Sequence, residues 1–104
     1  MEQIIIKVYG SISPAGNELL QAAQRVADES VSLEGDMLLI SHEGMYFMID
    51  DFIEAIKPHL GKGSEGRIDY IDMDEWTLTR YRIQDGLITR SEAGLNQVMD
   101  YSGH

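Results

Sequence analysis

Apolar and polar residues follow two rhythms along the chain, one of period two and one of helical spacing. Residues 3–9 (Gln-Ile-Ile-Ile-Lys-Val-Tyr) are β-branched and aromatic, which predicts a strand that stops at Gly10. Ser13-Pro14 then reads as a helix start, with Ser as N-cap and Pro at the first helical position. Leu19, Leu20, Ala23, Val26 and Ala27 recur at helical spacing, and Gln21, Gln24, Arg25 and Asp28 take the other face. This predicts a helix over about residues 15–29.

Three short strands are expected next, at residues 31–33, 37–41 and 45–49. They are separated by the turns Glu34-Gly35-Asp36 and His42-Glu43-Gly44. Asp50 is placed to cap a second helix, with Asp51 in its first turn and Phe52, Ile53, Ile56 and Leu60 as its apolar stripe. Pro58 cannot donate to the helical ladder, so this helix kinks or ends there. Residues 67–73 and 76–83 read as strands, and Gln84-Asp85-Gly86 is a hairpin turn that returns residues 87–90. Ser91 is placed to cap a last helix carrying Leu95, Val98 and Met99, with Gly103 at its end.

The expected order is β-α-βββ-α-βββ-α. It describes an α+β fold: an antiparallel sheet, or two, of about six to seven short strands with three helices, in one domain over residues 1–104. Strands and helices do not alternate singly, which argues against a Rossmann-like parallel sheet. No internal repeat or low-complexity tract is evident.

Composition sharpens this picture. A hydrophobic fraction of 43% with 25% charged residues is that of a globular chain, not a disordered one. The absence of cysteine removes disulfides, thiolate metal sites and cysteine nucleophiles. It suits a reducing compartment, and with no signal-like start or long apolar run the expected location is cytoplasmic.

The formal net charge of -10 makes nucleic acid and anionic membranes poor direct partners and favours a basic one. The charge is uneven. Residues 1–33 and 76–104 together account for -2, and residues 34–75 carry the remaining -8. That middle segment predicts an acidic face if its elements lie together, the kind of field that steers a basic protein. A plainly solvated surface is the competing reading.

Several local patterns resemble chemistry without its context. Gly61-Lys62-Gly63-Ser64-Glu65-Gly66 matches G-x-G-x-x-G, but it follows a helix and precedes a strand, the reverse of what cradling a phosphate needs. A helix-to-strand loop is the better reading. Asp69, Asp72, Asp74 and Glu75 form a dense acidic cluster that lacks the EF-hand spacing. Asp50-Asp51 and Asp74-Glu75 are adjacent pairs at element boundaries, where capping and turn formation explain them better than acid–base work.

His42, His59 and His104 form no zinc-binding spacing, and no G-x-S-x-G elbow is present. Arg80 and Arg82 share a strand face with Trp76 and Leu78, and Trp76 is expected in the core. Met37, Met45, Met48, Met73 and Met99 fall on predicted elements and suit either core filling or an adaptable groove.

These features point to a non-enzymatic protein that masks, inhibits or escorts a basic protein partner, with no cofactor or metal. Forms that fit include an immunity or antitoxin protein and a phage-type inhibitor that imitates DNA. The expected binding residues are Glu34, Asp36, Glu43, Asp50, Asp51, Glu54, Asp72, Asp74 and Glu75. A homodimer is compatible with this reading.

The layout of helix, three strands, helix, two or three strands, helix over about residues 13–104 is similar to that of small acidic chaperones of bacterial type III secretion. That resemblance lies in element order and charge, and it implies a dimer that wraps an unfolded segment. The chain departs from it by opening with a strand and by being short. A small-molecule sensor or minor enzyme with a pocket between sheet and helices is the rival from another class.

Overall fold

The computed structural model describes residues 4–95. The first strand, β1 (Ile6–Ser13), buries Ile6, Val8 and Ile12 and turns Lys7, Tyr9 and Ser11 the other way, the period-two pattern of a sheet with one covered face. It is followed by α1 (Asn17–Ala27), β2 (Val31–Glu34), β3 (Met37–Gly44), α2 (Ile49–Ile56), β4 (Glu65–Asp72), β5 (Thr77–Gln84) and β6 (Leu87–Gly94). A 3-10 turn closes each helix, at Asp28–Ser30 and Lys57–His59.

All six strands form one sheet in the order β2-β3-β1-β4-β5-β6, antiparallel at every step. β1 to β2 and β3 to β4 are parallel pairs, each straddling one intervening strand and bridged by a helix. The first six elements therefore have the interleaved β-α-β-β-α-β arrangement of the ferredoxin-like motif. The β5–β6 hairpin extends the sheet beyond it. A fold at this level carries no function by itself.

Both helices lie on one face. Leu19, Ala22, Ala23 and Ala27 of α1 and Phe52, Ile53 and Ile56 of α2 are buried against Val8, Ile12, Leu38 and Ile68 of the sheet. The three alanines leave little bulk between α1 and its neighbours. The structure is thus α+β with two helices and six strands among the described residues.

Four expectations change, each for a physical reason. Only two strands separate α1 from α2. Among the described residues, positions 45–49 have no strand neighbour, because β1 starts at Ile6 opposite Gly44. Those residues instead form a loop whose Phe47 turns inward onto His42 and Phe52, with ring centroids 5.0 and 5.5 Å away, and Ile49 opens α2. His42-Glu43-Gly44 is strand rather than turn, held in register by Val8, Lys7 and Ile6. Ser91–Gly94 continue β6, since pairing with β5 runs to Thr77 opposite Gly94. No third helix starts at Ser91; Leu95 is buried and is the first helical residue there, and the predicted helix beyond it lies outside the described residues. Trp76 is in the β4–β5 turn at φ 58° and 38% exposed, not in the core.

Helix starts also shift. β1 runs through Ser13, and α1 is capped by Gly16 without a side-chain bond, after Ala15 N–H has bonded to the Asp36 carbonyl (2.6 Å) in the β2–β3 turn. Met48, not Asp50, caps α2, and Asp50 and Asp51 occupy its first turn. α2 gives way to a 3-10 turn containing Pro58, as the missing N–H predicts.

Gly10 does not end β1. It lies opposite Ile68 of β4, and Gly66 lies opposite Ile12 of β1. A Cβ at Gly10 would meet the Arg67 carbonyl and come within 2.9 Å of Ile68 Cα. A Cβ at Gly66 would do the same to Ser11 and Ile12. The two central strands therefore approach in a way that only paired glycines allow. Gly10→Ala is expected to cost about 1–3 kcal/mol by overpacking. Gly16→Ala, where nothing lies within 4 Å, should stay within about 0.5 kcal/mol of the parent. Urea unfolding of both variants checks this, and equal midpoints would refute the close approach.

Candidate functional site

The strand register sorts the charged and apolar side chains between the two ends of the sheet. At one end, here the proximal end, lie Ile6, Gly44, Asp72, Thr77 and Gly94. The loop 45–48 and the turn 73–76 leave from it. Main-chain bonds knit them together: Ile5 N–H to Gly44 O (2.9 Å), Met73 N–H to Ile5 O (2.8 Å) and Leu95 N–H to Trp76 O (2.9 Å).

Nine large apolar residues are exposed among the described ones, and six of them gather here: Ile4, Met45, Tyr46, Met48, Met73 and Trp76. Tyr46 is 73% exposed and Met45 59%. Scattered single apolar residues need no explanation, but a group on two adjoining loops does.

The loop 45–48 is held by a defined network. His42 Nε2–H donates to the Tyr46 carbonyl at 2.9 Å, so Nδ1 is left to accept from the Ser30 hydroxyl at 3.1 Å. Phe47, packed at a tilt against the rings of His42 and Phe52, anchors the loop from below. Its neighbours Met45, Tyr46 and Met48 are thereby turned outward. Beside them, between the loop and the end of α1, is a depression of about 490 Å³ lined by Val26, Ala27, Asp28, Tyr46 and Met48 among others.

A second, polar cleft of about 310 Å³ opens beside Ile49 and Asp50, at the start of α2, over the helix-facing side of β4, β5 and β6. Tyr70, Thr79, Tyr81, Arg90 and Glu92 form its floor, and Asp50, Asp72 and Glu75 its rim. Thr79 Oγ1 donates to Glu92 Oε2 (3.2 Å), and Arg90 Nη2 donates to the same oxygen (3.1 Å). A hydrogen bond to Tyr81 helps keep the Arg90 guanidinium charged. Burial, then the nearby charges of Asp72, Tyr81 and Asp50, raise the Tyr70 phenol above its usual value. With Asp50, Asp72, Glu75 and Glu92 against Arg90, the cleft lining carries a net negative charge.

The nine expected binding residues divide between the ends. Asp72, Asp74 and Glu75 make the β4–β5 turn, in which Asp72 Oδ1 accepts from the Asp74 and Glu75 amides at 3.0 and 2.9 Å. Asp50 and Asp51 lie in the first turn of α2, and Glu43 is at the end of β3, paired with Lys7 at 3.7 Å. Glu54 is farther along α2, paired with Lys57 at 3.4 Å. Glu34 and Asp36 are at the opposite end, in the β2–β3 hairpin. The eight-residue β3 places them about 23 Å from Gly44. A single row of charge through Glu34, Asp36, Asp50 and Asp51 is therefore not formed.

The denser cluster is also split. Asp69 faces the uncovered side of the sheet and is bound through both oxygens by Arg80, at 2.7 and 3.2 Å. Asp72 lies on the helix-facing side. Among the described residues no group of three or more His, Asp or Glu is arranged to hold a metal.

The G-x-G-x-x-G stretch has a structural task. Gly61 N–H donates to Ser64 Oγ (3.0 Å), Gly63 N–H to Asp85 Oδ1 (3.1 Å) and Gly86 N–H to the Ser64 carbonyl (3.2 Å). It clasps the β5–β6 turn at the end of the sheet remote from the exposed apolar group.

Sequence reasoning missed Tyr70, Tyr81 and Arg90. The Asp85-Gly86 turn already fixed Tyr81 opposite Arg90 and Thr79 opposite Glu92, so the register could have revealed the cleft floor.

The raised Tyr70 phenol has a pH consequence. Between about pH 10 and the raised value, the folded state holds a proton that the unfolded chain has lost. This stabilisation is complete below about pH 10 and is lost as pH rises further. Tyr70→Phe should therefore flatten the alkaline fall in stability, read as urea midpoints across that range. An unchanged slope would count against the buried, acid-flanked setting of Tyr70. No helix among the described residues is long and apolar enough to cross a membrane. Compared with protein-family models, curated proteins and solved structures, the chain matches none.

Proposed function

We propose that the proximal end is a docking surface for a basic, amphipathic segment of another protein, and that the chain acts by masking, inhibiting or escorting that partner. One observation carries this reading: six exposed large apolar residues share one end of the fold with Asp50, Asp51, Asp72, Asp74 and Glu75. Met45 and Met48 supply adaptable apolar contact, and Tyr46 and Trp76 supply aromatic anchors of the type that dominates binding energy. The carboxylates beside them select basic side chains and speed encounter. The Met-lined depression suits the partner's apolar residues, and the acidic cleft suits its Lys or Arg.

The acidic rim and two tyrosines favour a second reading, in which the cleft takes a small organic cation without a protein partner. Protein capture and small-ligand titration separate the two.

The test is quantitative capture of native-lysate proteins on the tagged chain, at low and high salt, with mass-spectrometric identification. One stoichiometric basic partner is expected, weakened by salt. Tyr46→Ser with Met48→Ser should reduce its retention at least about tenfold, as loss of anchor residues does. Glu75→Lys should do so mainly at low salt. Glu34→Lys with Asp36→Lys, at the other end, should leave retention unchanged. Loss with the Glu34 and Asp36 variant alone would move the site away from the proximal end.

A further inference from the structure

β6 is an outer strand of the sheet, eight residues long, with no proline and no bulge in its pairing to β5. Its direction of hydrogen bonding can be read from its two ends. The β5–β6 turn is a two-residue hairpin, Asp85-Gly86, with φ 53° and 80°, closed by Gln84 opposite Leu87. In such a hairpin the closing residues bond to each other. At the other end Leu95 N–H bonds to the Trp76 carbonyl. Leu87 and Leu95 thus both direct their main-chain groups inward to β5. The alternation leaves Ile88, Arg90, Glu92 and Gly94 with N–H and C=O pointing out of the sheet.

Among the described residues no strand pairs with this row, and an outer row of this kind is a template for another strand. The sequence also specifies which one. In an antiparallel pair with a second β6, only even-numbered residues can face even-numbered residues. Centring the pair on Arg90 sets Arg90 against the partner's Arg90, and centring it on Glu92 sets Glu92 against the partner's Glu92. Both juxtapose like charges, which destabilises a ladder. Centring on Ser91 sets Arg90 against the partner's Glu92 and Glu92 against the partner's Arg90. It also matches Ile88 with the partner's Gly94, so all four outward residues are paired. Arg90 and Glu92, already 3.1 Å apart within one chain, would then join a cluster of four alternating charges.

We propose that two copies of the chain associate through β6, antiparallel about a two-fold axis at Ser91, into one continuous sheet. The partner is a second copy because the strand is complementary to itself in that register and repelled by itself in the adjacent ones. The surface lies on the sheet edge and does not require the docking reading of the proximal end. It leaves Met45, Tyr46 and Met48 of each copy uncovered, so failure of either idea leaves the other standing.

The protein has no cysteine, which makes a single introduced thiol a clean reporter. Ser91→Cys places two sulfurs across the axis, at a non-hydrogen-bonded pair whose Cα atoms are about 4.5 Å apart, within disulfide reach. Thr89→Cys puts its thiols four residues out of step, roughly 13 Å apart. Sedimentation of the unmodified chain should show a concentration-dependent dimer. Mild oxidation should cross-link the Ser91 variant and not the Thr89 variant. Arg90→Glu should weaken the dimer about tenfold or more, and adding Glu92→Arg should restore it by swapping the charges.

Circular dichroism checks that each variant stays folded. A chain that remains monomeric at millimolar concentration overturns the proposal. So do equal cross-linking of the two thiol variants, a dimer indifferent to Arg90→Glu, and a monomer that takes up a foreign extended peptide at β6.

Discussion

Two helices are too narrow for six strands. Strands lie about 4.8 Å apart and packed helices about 10 Å apart, so a pair of helices covers about four strands. α1 and α2 cover β2, β3, β1 and much of β4, and the core is complete there: Val8, Ile12, Leu38, Phe52, Ile56 and Ile68 are fully buried. β5 and β6 extend past the helical layer. Their helix-facing residues change along the strands, from the apolar Ile83 and Ile88 beside the β5–β6 turn to Thr79, Tyr81, Arg90 and Glu92 toward the proximal end. The polar cleft is therefore the place where the covered sheet ends, finished with groups that can satisfy one another in water. Among the described residues no buried side-chain polar atom lacks a partner.

The same geometry separates the faces electrically. The uncovered face of the sheet carries Lys7, Arg67, Arg80 and Arg82 beside Glu34, Glu43, Glu65 and Asp69, so it is balanced. The excess negative charge belongs to the helical side and the loops. Asp69, gripped by Arg80 and 3.6 Å from Arg67 Nε, is spent within the sheet and is not displayed to a partner. The -8 of the middle segment is thus less concentrated in space than in sequence. What concentrates it again is the proximal end, where the start of α2 and the β4–β5 turn meet.

Much of the fold was legible in the chain. The apolar stripe of α1, the end of α2 at Pro58 and the Asp85-Gly86 hairpin are local signals, and local physics fixed them. The errors share a cause. Gly10 reads as a stop because glycine usually breaks strands, and only the approach of β4 gives it a reason to be inside one. Residues 45–49 have strand-like composition, yet β1 offers no partner beyond Ile6. Ser91 resembles a cap, but its register with Arg80 holds it in β6. Each depends on a neighbour remote in sequence. The acidic residues were identifiable, and their division between two ends was not, because it required the direction of β3. Tyr46 and Trp76 as exposed aromatics were beyond reach for the same reason.

The clasp between residues 61–64 and the tip of the β5–β6 hairpin ties together segments 22 positions apart, through Gly63 to Asp85 and Gly86 to Ser64. Gly86 also sits so near Gly61 that a side chain there would meet the Gly61 carbonyl at 2.7 Å. The helices do not lie over the whole hairpin, and among the described residues this latch and the β4 ladder restrain it. Opening of the outer strands is thereby coupled to the loop that leaves α2, and the two should come apart as one cooperative unit rather than fraying separately.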